Sequence, residues 1–115
     1  MSSTDNTYNG WTNYETWRVG LEVLDGWNLW DVFDLDEIGE IMDEEGEDCR
    51  GLLFDTRRMI EDFVEEDVFG CDKIPAGHAK NFAEAFINAV NFHELARSKV
   101  NQAFEEVRHQ RARAA

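Results

Sequence analysis

Carboxylates dominate the reactive side chains of this chain, and their spacing is regular. Asp36, Glu40, Asp43 and Glu47 follow one another at intervals of 4, 3 and 4 residues, and Glu44 lies four past Glu40. Asp62, Glu65 and Glu66 repeat the pattern further on. Steps of three and four residues share one helical face, so each group predicts a row of anions about 6 Å apart along a helix axis. Such rows are suited to meeting cations. Duplex DNA carries one phosphate per ~3.4 Å of axis on each strand. An ordered carboxylate row would therefore offer a DNA- or RNA-binding cleft the charges it expects. A solvated helix face is the other use of the same residues.

The negative charge is concentrated. Residues 31–72 hold 17 of the 25 acids, with Arg50, Arg57 and Arg58 as their only bases, while the rest of the chain carries 8 acids and 8 bases. The formal net charge of −14 thus belongs to this one stretch. Solubility asks for a magnitude of only ~2–8 in a small domain, and the surplus opposes folding by self-repulsion. A basic partner, drawn in by long-range attraction, is the expected reason for keeping it. The same charge disfavours direct binding to nucleic acid through phosphate neutralisation and attraction to an anionic membrane. With 43% hydrophobic residues, including 8 Phe and 4 Trp, the chain can build a core, unlike a disordered acidic tail.

Other chemistries are weakly supported. The stretch 34–45 matches an EF-hand loop at positions one, three, six and twelve through Asp34, Asp36, Gly39 and Glu45, but Ile38 and Met42 occupy ligand positions five and nine. A calcium-responsive helical module stays open as an alternative on that partial match. Cys49 and Cys71 form no Cys-x-x-Cys pair and are expected as free thiols. His78, His93 and His109 lack the short spacing of a helical zinc motif. Serine occurs only at Ser2, Ser3 and Ser98, without a nucleophile elbow, and no glycine-rich phosphate loop is present. An enzyme, a metal site and a cofactor are therefore not expected.

Aromatic residues offer a second kind of contact. Trp11, Tyr14, Trp17, Trp27 and Trp30 are dense for 20 residues. Tyr14 and Trp17 fall on an apolar stripe and are expected in the core. Trp27 and Trp30 are candidate partner contacts, since tryptophan is favoured at interface hot spots. A non-catalytic adaptor using this aromatic patch is the alternative to the acidic surface.

These residues need elements to position them, and the periodicity is helical throughout. Thr12-Asn13-Tyr14-Glu15 fits a capping box, followed by Tyr14, Trp17, Leu21 and Leu24 as one stripe, closed at Asp25-Gly26. A second element carries Trp30, Phe33, Ile38, Ile41 and Met42 among acids, with Asp34 or Asp36 as a helix cap and a loop at Glu45-Gly46-Glu47-Asp48 after it. A third runs from about Leu52 to Val68, with Leu52, Met59, Ile60, Phe63 and Val64 inward. After a loop over 70–77 come Phe82, Phe86, Ala89 and Val90 in step, then Phe92, Leu95, Ala96, Val100, Ala103, Phe104 and Val107 beyond Asn91. The expected fold is all-α, a compact bundle of four to five helices with an acidic face. Residues 1–10 read as a flexible lead, 11–108 as the single helical domain, and 109–115 as a frayed basic tail. The lead lacks the basic head and apolar stretch of a secretory signal, and no apolar run is long enough to span a membrane.

Three segments resemble a family of small proteins encoded by phages, plasmids and other mobile elements. Asn13-Tyr14-Glu15-Thr16-Trp17 resembles its opening box, Arg58 to Glu66 its acidic middle helix, and Val90-Asn91-Phe92-His93-Glu94-Leu95-Ala96 its closing box, with Phe92 where the family has Trp. The resemblance covers about residues 9 to 100. It implies a helical fold and a mobile-element setting in a host cytoplasm, and it brings no catalytic residues, being chiefly to a domain of unknown function. Small acidic phage proteins that disable host defence by occupying nucleic-acid-binding sites are similar in size and charge. The expectation is an inhibitor of a CRISPR effector complex or a restriction enzyme, with the partner a basic nucleic-acid-binding host protein.

Overall fold

In the computed structural model, residues 8–69 and 78–114 are described. They form five α-helices: α1 (Tyr14–Glu22), α2 (Leu35–Glu45), α3 (Arg50–Phe69), α4 (His78–Ala89) and α5 (Phe92–Ala114). Single 3-10 turns at Leu29–Asp31 and Gly46–Asp48 flank α2. Among the described residues the only β pairing is an isolated bridge between Tyr8 and Trp11. The fold is an all-α bundle. Its principal extents are 55 × 42 × 23 Å, so its thin dimension is about two helix diameters.

The long helices α3 and α5 form the frame, and two apolar clusters show that they run antiparallel. Leu52 and Leu53 near the start of α3 pack with Val100, Ala103, Phe104 and Val107 of α5, joined by Ile38, Leu29 and Cys49. Ile60 and Val64 further along α3 pack with Leu95 and Ala96 at the start of α5, joined by Val19, Leu24, Ile87 and Val90. Burying a Leu or Val side chain contributes ~1.5–3 kcal/mol, so these rows outweigh the weak helix propensity of their β-branched members. Trp27 packs against both clusters and bridges them. Trp30 packs against the first. Both tryptophans are half-buried, with one side of each against the core.

The opening and closing boxes meet in space. Asn13, in extended backbone, caps α1: its Oδ1 accepts from the Thr16 N–H (2.9 Å) and from the Thr16 hydroxyl (2.6 Å). The Thr16 Oγ1 in turn accepts from the Asn91 N–H at 2.8 Å, and Asn13 Nδ2 donates to the Ala89 carbonyl at 2.7 Å. Asn91 Oδ1 accepts from the Glu94 N–H (3.0 Å), capping α5, and Glu94 Oε1 accepts from the Thr12 N–H (2.9 Å). Two helix starts and the end of α4 thus share one network, which satisfies groups that a helix end leaves open. Asn91 separates α4 from α5.

This network turns α1 away from its expected orientation. With its hydroxyl satisfied, Thr16 sits fully buried beside Val19, while Tyr14 and Leu21 are 38% and 54% exposed. The cap is Asn13, one residue past the expected Thr12. Tyr8 folds back on Tyr14 and Trp17, with ring centroids 5.2 and 4.9 Å away. Residues 8–10 of the expected flexible lead therefore belong to a turn, and 1–7 lie outside the described residues. Further corrections concern Phe63, which is largely exposed on α3, and the tail, which continues α5 as helix through Ala114. The expected loop at 70–77 and the side chain of Phe82 lie outside the described residues.

Candidate partner-binding surface

Helix α2 starts at Asp34, an N-cap with extended backbone, and places Asp36 and Glu37 in its first turn, where the positive end of the helix dipole favours acids. Its buried side is Ile38 and Gly39. Gly46 ends it: with φ +59° the glycine adopts a conformation other residues disfavour, and its N–H bonds back to the Ile41 and Met42 carbonyls. Asp36, Glu40 and Asp43 share the helix as the spacing predicts, with Glu44 beside them. Glu47 does not. It lies in the 3-10 turn after Gly46, so the expected row of four is a row of three plus a flanking turn. Arg97 on α5 anchors that turn by donating to the Glu47 carbonyl at 3.0 Å.

All eight candidate carboxylates are exposed, but they are not one array. Asp36, Glu40, Asp43, Glu44 and Glu47 lie on α2 and the turn after it, which pack through Ile38 and Cys49 on the first cluster. Asp62, Glu65 and Glu66 lie on the part of α3 that packs, through Ile60 and Val64, on the second. The structure brings the first group together and sets the second apart.

One cation enters the first group. The Arg111 guanidinium grips the Asp43 carboxylate with two parallel hydrogen bonds, Nη1 to Oδ1 and Nη2 to Oδ2, both 2.9 Å. That pairing holds the Asp43 carboxyl below its ordinary range and raises Arg111, each against a smaller opposing effect of desolvation. Gly39 makes room for it, because a Cβ there would stand 2.9 Å from Arg111 Nη2 and 3.4 Å from Val107 Cγ1. Arg111, Gln110 and Val107 line a shallow groove with Leu35, Asp36 and Glu40. Among the described residues, the only other acid of the 31–66 stretch holding a salt bridge is Glu61, bound to Arg57 at 2.8 Å. Spacing along the chain gave no sign of the Arg111 contact. A glycine inside the apolar face of α2 was the one available hint that another helix comes close there.

The partial EF-hand match falls on α2 itself. Eleven of its twelve residues are helical, and Ile38 at ligand position five is fully buried. A helix points its side chains outward around its axis and cannot wrap them about one cation as a loop does. Among the described residues no three His, Cys, Asp or Glu side chains converge as metal ligands.

The exposed aromatics differ from those expected. Tyr8 and Tyr14, with half-buried Trp17, form a cluster on the outside of α1. Arg18 lies over the Tyr14 ring, donates to its hydroxyl and pairs with Glu22. No helix among the described residues is long and apolar enough to cross a membrane. No protein-family model, curated protein or solved structure matches this chain.

Proposed function

We propose that this chain is a non-catalytic inhibitor that uses the carboxylates of α2 and its following turn to occupy the cationic nucleic-acid cleft of a partner protein. The observation that carries the reading is the charge balance of that surface. Asp36, Glu40, Glu44 and Glu47 are exposed on an ordered helix and turn, and of their group only Asp43 has a cationic partner among the described residues. Steps of three and four residues set such groups ~5–6 Å apart along the axis, close to the ~7 Å spanned by two phosphate steps of a DNA strand. The resemblance of the two boxes to proteins of phages and plasmids supports a host defence machine as the partner, either a CRISPR effector complex or a restriction enzyme, met in the host cytoplasm.

The test is charge reversal. The quadruple variant Asp36→Lys, Glu40→Lys, Glu44→Lys, Glu47→Lys keeps its helical circular dichroism and loses at least tenfold in affinity for the partner captured from host lysate, ~1.4 kcal/mol. Duplex DNA displaces the wild-type protein from that partner. Equal binding by the variant at low salt refutes the electrostatic reading.

A second reading is favoured by the aromatic cluster on α1. An adaptor binding through Tyr8, Tyr14 and Leu21, all exposed, would be nearly indifferent to salt and sensitive to Tyr14→Ala.

A further inference from the structure

Helix α3 carries its charges against its own dipole. Arg50 stands in the first turn, Arg57 and Arg58 follow, and Glu65 and Glu66 come toward the end. Acids favour a helix start and bases a helix end, an order that α5 obeys with Glu94 first and Arg111 and Arg113 last. The reversed order on α3 weakens the helix. Along the outer face, however, Arg50, Asp55, Arg58 and Asp62 alternate in sign, so a second α3 laid antiparallel about residue 56 would set bases against acids.

Two further features sit on the same face. Phe54 is 60% exposed, the most exposed of the large apolar side chains, with Arg58 stacked 6.0 Å from its ring centroid. It forms one wall of a groove lined also by Phe33, Asp55, Arg58, Met59 and Asp62. One turn before it, Gly51 is exposed, and a Cβ at that position would meet nothing within 4 Å. The surface at that end of the face is open.

We infer that the outer face of α3 is a two-fold interface with a second copy of this chain. In an antiparallel pairing centred near residue 56, Phe54 of each copy enters the other's groove by Met59. Arg58 then meets Asp55 of the second copy, Arg50 meets Asp62, and each contact occurs twice, as a closed two-fold interface requires. Residues buried on the inner face of α3, such as Leu53 and Ile60, take no part. The contact uses one helix per copy, so it belongs at or below the ~1,200 Å² end of specific interfaces and gives a weak, reversible dimer. Two copies each of charge −14 repel at long range. Screening over ~8 Å at physiological salt removes most of that repulsion and spares the close pairs.

Sedimentation equilibrium tests this directly, independently of the partner-binding proposal because the α2 charge-reversal variant keeps the whole α3 face. The wild type is expected to dimerise at ~150 mM salt with dissociation in the micromolar range, and to weaken both at ~10 mM and at ~1 M salt. Arg58→Asp and Phe54→Ala should each weaken the dimer at least tenfold, with melting temperature and helicity unchanged. The double exchange Asp55→Arg with Arg58→Asp restores the opposed charges and should recover dimerisation. A monomer at every salt up to ~0.5 mM protein, far above the dissociation constant expected for such a contact, overturns the inference. So does a dimer that Arg58→Asp leaves intact, or a double exchange that fails to recover it.

Discussion

Two fully buried threonines, Thr16 and Thr56, should respond to the same substitution with opposite signs. Valine replaces the hydroxyl with a methyl group of similar size, so packing and helix propensity change little. At Thr16 the hydroxyl bonds to Asn13 Oδ1 at 2.6 Å and accepts the Asn91 N–H at 2.8 Å. Thr16→Val removes the first bond, worth ~1 kcal/mol net, and strands the partly buried Asn91 N–H, worth a further ~1–2 kcal/mol. At Thr56 the hydroxyl is buried without a hydrogen-bond partner among the described residues. Thr56→Val removes that unmet group and should stabilise by ~1 kcal/mol. An unfolding entropy of ~2.1 cal/mol/K per residue over 115 residues gives ~0.24 kcal/mol per degree. The melting temperature should therefore fall by ~8–12 °C for Thr16→Val and rise by ~4 °C for Thr56→Val. Thermal and urea unfolding followed by circular dichroism measures both, with the urea slope unchanged. Shifts of the same sign and size in the two variants would refute the hydrogen-bond account of the clasp.

The Arg111 contact and the buried thiol give two more expectations. In Arg111→Ala the Asp43 carboxyl should rise back toward its ordinary value, followed by NMR titration. Because the folded Asp43 lies below its unfolded value of ~3.9, its stabilisation is fully present above that pH and is lost as pH falls through the folded value. Arg111→Ala should lack this acid-dependent component of stability. Cys49 is fully buried, and burial raises its thiol above the ordinary range. In a Cys71→Ser background it should react with a thiol reagent at the rate of unfolding, rising with urea. Rapid labelling in native buffer would contradict its placement in the core.

The helical class and the inner faces of α3 and α5 could be read from the chain because their apolar residues repeat over many turns with one strong period. Leu95, Ala96, Val100, Ala103, Phe104 and Val107 are buried as their spacing predicts. Short α1 was misread because its apolar residues did not decide its rotation. Hydrogen bonds from Asn13 and Asn91, 78 residues apart, made a threonine the better core residue and left Tyr14 outside. Glu47 continues the spacing of Asp36, Glu40 and Asp43, but the glycine before it marks a loop over 45–48, and Gly46 with its positive φ ends the helix there. Trp27 is half-buried because two separate clusters leave a seam that a large ring fills, and Trp30 packs on the first of them alone. The exposed carboxylates themselves were legible. Their division into two groups depends on α2 and the later part of α3 packing on different apolar clusters.

That division sharpens where a basic partner would bind. Asp36 and Glu37 occupy the first turn of α2, where the helix dipole already favours them, so their presence has an internal explanation. Glu44 and Glu45 stand at the opposite end, where the dipole opposes acids and where α2 has no basic residue of its own. Asp43 lies there too, but Arg111 compensates it. Beyond Gly46 the charge continues through Glu47 and Asp48 in a turn that α5 holds in place through Arg97. Among the described residues Glu44, Glu45, Glu47 and Asp48 have no salt-bridge partner. The end of α2 and its 3-10 turn, rather than the whole acidic segment, is therefore where an external cation would relieve the most repulsion.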